Sequence, residues 1–173
     1  RWSAVFNAAQ VTGWKPPEQP KVSLVETLAG VDKAIAGTGA AIREGHYDIA
    51  CYDVALDRID MPSRTLFRGT ATCTPTEAFY ATLLHELVHW TGHHSRLARD
   101  LKNRFGSEAY AIEELVAELG SAFLAADLGI ATEPRADHAA YVADWLKVIK
   151  SDPFAISSAS AKASAAADFV LSK

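Results

Sequence analysis

Residues 85–89 read His-Glu-Leu-Val-His, a combination of imidazole and carboxylate groups that suits metal chemistry. Histidines at positions i and i+4 of a helix lie on the same face, so two imidazole rings can reach one ion. Zn²⁺ accepts histidine nitrogens at about 2.0–2.1 Å. We therefore predict that His85 and His89 are ligands of a zinc ion.

Glu86 has a different position in the same segment. It is rotated by about 100° around the helix from His85, which removes it from the face that carries the histidines. A carboxylate in that position can take a proton from a water molecule beside the metal, as the glutamate of an HExxH motif does. Glu86 is predicted to be the catalytic base.

The surrounding sequence predicts a well-formed helix for this motif. Thr74, Pro75 and Glu77 combine an N-cap residue, a proline at the first helical position and a capping-box glutamate. Apolar residues then recur at helical spacing up to Gly92, which is expected to end the helix. These signals are independent of the motif and disfavour the alternative that residues 85–89 form only a solvated face.

A catalytic zinc site takes a third protein ligand and leaves one position open. Ser95 occupies the position where one subclass of HExxH enzymes has a further histidine, so that subclass is excluded. His93 and His94 directly follow the helix, and the chain would have to reverse at once to bring them onto the metal. Glu114, in a second helix predicted over residues 107–128, is the preferred third ligand.

Glu114 and Glu118 share one face of that helix. With Glu114 as the ligand, Glu118 can accept a hydrogen bond from the free N–H of a ligand histidine; the reverse assignment is the main alternative. A solvated face that also includes Glu113 is less favoured, because the flanking residues are mostly apolar and buried carboxylates need partners.

A donor for a negatively charged oxygen intermediate is the least specific prediction. Tyr110 precedes Glu114 by one helical turn and can serve as that donor, with core packing as the alternative. Tyr80, His138 and Tyr141 are other aromatic residues with a polar tip.

Basic residues cluster after the first helix. We interpret them as a solvated face, with a substrate or DNA contact as the alternative; they are Arg96, Arg99, Lys102 and Arg104.

The remaining elements predict an α+β fold of 173 residues in one domain. The pattern indicates a strand or extended arm at 1–12, a helix at 22–35, strands at 40–43 and 49–61, and helices at 137–150 and after 153. Pro62 is expected to end strand pairing or to mark a sheet edge, so a peptide substrate is expected along residues 60–63.

The composition disfavours two classes of protein, strong nucleic-acid binders and membrane-spanning proteins. Seventeen basic and twenty-one acidic residues give a net charge of −4, which argues against a strong nucleic-acid binder. No run of eighteen apolar residues is present, so no membrane span is predicted. Cys51 and Cys73 lack metal or redox spacing and are expected to be reduced thiols of a cytoplasmic protein.

Several segments together resemble one family, the zincin-like metallopeptidase domain of the ArdC antirestriction proteins of conjugative plasmids and phages. The similar segments are 85–93 (HELVHWTGH), 95–99 (SRLAR), 110–123 (YAIEELVAELGSAF), 5–10 (VFNAAQ), 60–62 (DMP) and 138–145 (HAAYVADW).

The resemblance implies a zincin-like (gluzincin) fold, with a small antiparallel or mixed N-terminal sheet, an active-site helix and a mostly helical C-terminal half. It also implies a zinc site at His85, His89 and Glu114, in which manganese or another divalent metal is an alternative. Family members protect incoming DNA from restriction and usually carry an N-terminal single-stranded-DNA-binding domain. We expect this chain to begin after that domain, and the protein to be cytoplasmic, including delivery to the recipient cell in conjugation.

Two functions follow as hypotheses. The first is a zinc metallopeptidase that hydrolyses a protein or peptide substrate, such as a restriction–modification component. The alternative is a zinc-stabilised module that binds a restriction subunit or DNA without catalysis.

Overall fold

The computed structural model describes residues 25–70, 72–101, 107–130, 145–146, 149–150, 152 and 154–173. The predicted arm at 1–12 lies outside these residues, as do His138, Tyr141, Lys102 and Arg104. Of the helix predicted at 137–150, residues 145–146 and 149–150 are described, and they are helical.

Strands precede the longer helices along the chain, so the predicted α+β class is confirmed. The elements are helix α1 (Ala29–Gly37), strands β1 (Ala41–Gly45), β2 (Cys51–Asp53) and β3 (Arg58–Pro62), a 3₁₀ helix (Arg64–Leu66), and helices α2 (Pro75–Thr91), α3 (Glu108–Asp127) and α4 (Ala155–Leu171). Helix α1 begins later than predicted and runs two residues further, to Gly37.

The sheet is mixed, with strand order β1-β3-β2. Strand β3 pairs in parallel with β1 and antiparallel with β2, so it is central. The prediction of a single strand at 49–61 is therefore wrong, and so is the prediction that residues 60–63 offer an edge to a peptide. The Asp53 carboxylate explains the difference: it accepts hydrogen bonds from the backbone N–H groups of Ala55 and Leu56 and so stabilises a turn.

Helix α2 starts as predicted. The Thr74 hydroxyl accepts a hydrogen bond from the backbone N–H of Glu77, and the Glu77 carboxylate accepts one from the N–H of Thr74. Gly92 ends the helix with a φ of −74°, an angle open to any residue. Glycine is favoured there by space, because an added Cβ would lie 2.9 Å from the Arg99 guanidinium.

Helices α2 and α3 approach each other closely where Gly120 meets Val88. A Cβ at position 120 would lie 2.9 Å from one Val88 methyl group and 3.0 Å from the other. Val88 is fully buried and directly precedes His89, so this contact helps to set the distance of α3 from the motif.

Helix α4 packs against α3 with buried small residues, which allow close packing of the two helices. These residues are Ala155, Ala159, Ala163, Ala166 and Ala167. Cys51 and Cys73 are free thiols. Among the described residues, no helix has the length and apolar character needed to cross a membrane.

Candidate metal centre

His85 and His89 lie on one face of α2, and Glu114 reaches them from α3. The two Nε2 atoms are 3.2 Å apart. Glu114 Oε2 lies 3.6 Å from His85 Nε2, and its Oε1 lies 3.5 Å from His89 Nε2. Ligands bound at about 2.1 Å to a tetrahedral zinc ion are separated by about 3.4 Å. The three side chains therefore have the spacing that one such ion requires.

The outer nitrogens of both rings face carboxylates. His85 Nδ1 lies 3.4 Å from Glu118 Oε1, and His89 Nδ1 lies 3.2 Å from Glu113 Oε1. A neutral imidazole whose Nδ1–H points at a carboxylate has its lone pair on Nε2. Both lone pairs then point toward each other and toward Glu114, an arrangement that repels unless a cation lies between them.

The pKa values of His85, His89 and Glu114 also indicate that positive charge is favoured between these side chains. Burial lowers the pKa of His85, but hydrogen bonds with Glu114 and Glu118 outweigh burial and raise it to about 10. The pKa of His89 is also raised, since Glu113 and Glu114 outweigh the effect of burial. The pKa of Glu114 is lowered despite its burial, because both histidines contact it. Together, the donor set fits a divalent metal ion.

Glu86 contacts strand β2 of the sheet. Its Oε2 accepts a hydrogen bond of 2.8 Å from the backbone N–H of Tyr52 in β2. A carboxylate has two oxygens and about four lone-pair sites, so this bond leaves capacity for a water molecule.

The predicted metal ligands and Glu86 line a pocket of about 500 Å³. Tyr110 also lines it, as do Glu113 and a set of mainly apolar residues. That set is Ile49, Ala50, Cys51, Tyr52, Val54 and Leu101. The lining of the pocket is therefore polar at the candidate metal ligands and mainly apolar elsewhere.

Comparison with known proteins identifies the fold family. The model of the MPTase-PolyVal family, described as zincin-like metallopeptidases, matches residues 29–162. The chain belongs to this zincin-like family.

Relatives and solved structures agree. A DNA primase TraC of Escherichia coli is 44% identical over 98% of this chain, which spans 15% of that protein. The uncharacterized protein y4eC of Sinorhizobium fredii (strain NBRC 101917 / NGR234) is 43% identical over 98% of this chain, which spans 53% of it. The Mn(II)-bound crystal structure of the antirestriction ArdC protein from the R388 plasmid has a TM-score of 0.74 and 38% identity; the similarity covers 96% of this chain and 60% of that one. A metal-free structure of the same protein has a TM-score of 0.72. The predicted resemblance and zincin-like fold are confirmed.

Several candidates of the sequence analysis lie away from the candidate metal centre. The rings of His93 and His94 contact each other after α2, with centroids 4.0 Å apart and planes tilted by 47°, and neither residue belongs to the cluster of ligand atoms. Tyr80 is fully buried, and its hydroxyl donates to Asp32, so it does not line the pocket.

The interpretation of the basic cluster as a solvated face is wrong for Arg99. Its side chain is 7% exposed and forms an ion pair of 2.9 Å with Glu113. The sequence does not predict this ion pair, because the loop after α2 folds back onto the helix and residue spacing does not show the course of a loop. The available signal was Glu113 itself, since a buried carboxylate beside a ligand requires a positive partner.

The same interpretation is wrong for Arg96. It forms a short ion pair with Asp57 in the hairpin turn, and its guanidinium lies 3.9 Å from the centroid of the Trp90 ring. Its NH2 also donates to the Tyr52 hydroxyl at 3.1 Å. Arg96 thus connects the end of α2 to the strand that holds Glu86.

Proposed function

We propose that this zincin-like domain is a zinc-dependent peptidase. The observation that carries the proposal is the convergence of two imidazole lone pairs and a carboxylate on one point, with a further carboxylate, Glu86, in the same pocket. His85, His89 and Glu114 would hold the ion. When bound, the metal supplies a Lewis acid that lowers the pKa of a water molecule and polarises a carbonyl group.

Glu86 is the general base in this proposal. It takes the proton from the attacking water and returns it to the amine that leaves the cleaved peptide bond. The backbone N–H of Tyr52 supports it by fixing the orientation of the carboxylate. Tyr110 lines the pocket and is the proposed donor to the oxygen that becomes negatively charged.

Strand β2 is the proposed site for the substrate backbone. It pairs on one side with β3, and its residues 51 and 52 line the pocket. An extended peptide can add to a strand edge through main-chain hydrogen bonds. Because the Tyr52 N–H on this edge is bonded to Glu86, the peptide would pair with the other main-chain groups of the edge. The apolar walls of the pocket favour apolar side chains near the cleaved bond.

The biological role is proposed by extension from the R388 protein, which is described as an antirestriction protein. The substrate is then a protein of the restriction system, met in the cytoplasm, including that of a recipient cell. Contacts with single-stranded DNA are assigned to a part of the protein outside this chain. Zinc is the proposed metal on the basis of the two imidazoles and one carboxylate, and manganese is the alternative that the R388 structure offers.

The test is the substitution Glu86→Gln. Glutamine keeps an oxygen that can accept from Tyr52 but cannot take a proton, so we expect zinc content to stay and peptide cleavage to fall by about 10²–10⁴-fold. Cleavage is measured by mass spectrometry on a proteome-derived peptide library, and zinc by elemental analysis. A zinc-loaded wild type that cleaves nothing would favour the non-catalytic binding module. A variant that cleaves normally would show that Glu86 is not the base.

A further inference from the structure

We propose that Arg99 is a positioning residue of the metal centre. It holds the Glu113 carboxylate, and Glu113 in turn fixes the imidazole ring of His89. This inference rests on the proposed metal site but not on the proposed peptide hydrolysis.

The guanidinium of Arg99 uses all three of its nitrogens in fixed contacts. Nε lies 3.0 Å from Glu113 Oε2, and NH2 lies 2.9 Å from Glu113 Oε1, a fork that holds both carboxylate oxygens. NH2 also donates to the Val88 carbonyl at 2.6 Å, and NH1 donates to the Thr91 hydroxyl at 2.9 Å. A planar guanidinium with this many partners has one orientation, which a lysine could not reproduce.

The loop that carries Arg99 is built to bring it back to α2. The backbone N–H groups of Leu97 and Arg99 donate to the carbonyls of Thr91 and Gly92. Ala98 has a φ of +50°, a left-handed conformation that a non-glycine residue rarely adopts. Gly92 leaves the space that the guanidinium occupies. The left-handed Ala98 and the side-chain-free Gly92 both favour this one position of the Arg99 guanidinium.

His89 is the ligand that this arrangement controls. Glu113 Oε1 contacts His89 Nδ1 at 3.2 Å, while His89 Nε2 is the atom that faces His85 and Glu114. A carboxylate fixed at Nδ1 selects the ring orientation and the tautomer that leave Nε2 free to bind metal. Without Arg99, Glu113 loses the fork that holds it and can rotate away from the ring.

The experiment measures the Zn²⁺ affinity of metal-free protein by competition with a chromophoric chelator, for Arg99→Met, Glu113→Gln and the double variant. Each single change is expected to weaken Zn²⁺ binding by about 10–100-fold, the range for partners of ligand histidines. Because Arg99 acts through Glu113, the double variant should be no weaker than the weaker single variant, within about twofold. The absorption spectrum of bound Co²⁺ should shift in both single variants, which loss of packing alone would not cause.

Arg96→Met is the matched control. It also removes an arginine whose side chain is only 10% exposed and that binds an α2 carbonyl and a carboxylate. That carboxylate, of Asp57, is not bonded to a ligand histidine. It should leave Zn²⁺ affinity within about twofold of wild type while lowering the melting temperature. If Arg99→Met unfolds the chain, the Zn²⁺ affinities of Glu113→Gln, Arg99→Lys and their double variant are compared instead.

Three results would overturn the inference: wild-type affinity in the single variants, effects that multiply in the double variant, or an equal loss of affinity in Arg96→Met. A wild type that binds zinc but cleaves no peptide would instead remove only the proposed hydrolysis. A wild type that takes up no Zn²⁺ would end both.

Discussion

Helix α2 contacts two different neighbours, and each contact serves a different part of the candidate site. On the α3 side, carboxylates of Glu113, Glu114 and Glu118 meet the two histidines. On the β2 side, a backbone N–H meets Glu86. The candidate metal ligands are thus positioned by side chains between two helices, and the proposed base is positioned by a strand.

Two arginines three residues apart secure the two sides separately. Arg99 binds Glu113 on the α3 side, and Arg96 binds Asp57 in the turn that follows β2. Both also donate to carbonyls in the last turn of α2: Arg99 to that of Val88, which also accepts the Thr91 hydroxyl, and Arg96 to that of Trp90, which also accepts the His93 N–H. The comparison suggests that metal binding and orientation of the base can be changed independently, and the following predictions test this separation.

The largest effect is expected from Glu114→Ala, which breaks only the α3 side. Loss of a direct ligand should weaken Zn²⁺ binding by more than about 100-fold, beyond the range for outer partners. The added stability that zinc gives the folded state, about 2.7 kcal/mol at a hundredfold excess over Kd, should disappear from thermal melts. Hydrogen exchange at the Tyr52 amide should remain slow, because its contact with Glu86 is on the other side.

Glu118→Ala is the control for that assignment. It should cost about 10–100-fold in Zn²⁺ affinity, as expected for an outer partner. A greater loss than in Glu114→Ala would exchange the roles of the two glutamates.

A smaller effect is expected from Gly120→Ala, which pushes α3 away from Val88 of α2 and removes no polar side chain. The new methyl would lie 2.9 Å from Val88, so we expect a destabilisation of about 1–3 kcal/mol in urea unfolding. Zinc affinity should also fall, since Glu113, Glu114 and Glu118 move with α3.

Gly30→Ala is the matched change in α1. An added Cβ there has no atom within 4 Å, so the substitution should stabilise the protein by about 0.4–1 kcal/mol, chiefly by restricting the unfolded chain. Equal effects of the two substitutions would show that the close approach of α2 and α3 does not matter.

The smallest effect concerns pH and the β2 side. Hydrogen bonds from Arg96 and, secondarily, from the Tyr52 hydroxyl lower the pKa of Asp57 from 3.8 to about 2. Because the folded value is the lower one, its contribution to stability is present above about pH 4 and is lost as the pH falls toward 2. The Asp57 side chain is 39% exposed, so we expect less than about 1 kcal/mol.

The measurement is urea unfolding of metal-free protein and of Asp57→Asn over this range. The difference between the two curves should shrink as the pH falls toward 2. Parallel curves would mean that the Arg96 pair adds nothing to the β2 side.

The parts predictable from sequence were those with local signals. The capping box, the proline and the i, i+4 histidines of α2 lie within one short stretch, and each constrains its neighbours directly. Glu114 and Glu118 were found in the same way, from helical spacing in an apolar segment. The pairs Glu113–Arg99 and Asp57–Arg96 depend on where a loop and a hairpin turn go, and no periodic pattern encodes that course. The turn at residues 54–57 contains neither glycine nor proline, so the sequence pattern predicts one strand where the structure has a hairpin.

The two sides also differ in how they respond to mutation over time. The group that orients Glu86 is a main-chain amide, so every amino acid except proline at position 52 supplies it. The groups that orient His89 are side-chain atoms of Glu113 and Arg99, and a single codon change can remove either. As mutations accumulate in such a domain, we therefore expect metal affinity to be lost before the orientation of Glu86 is lost.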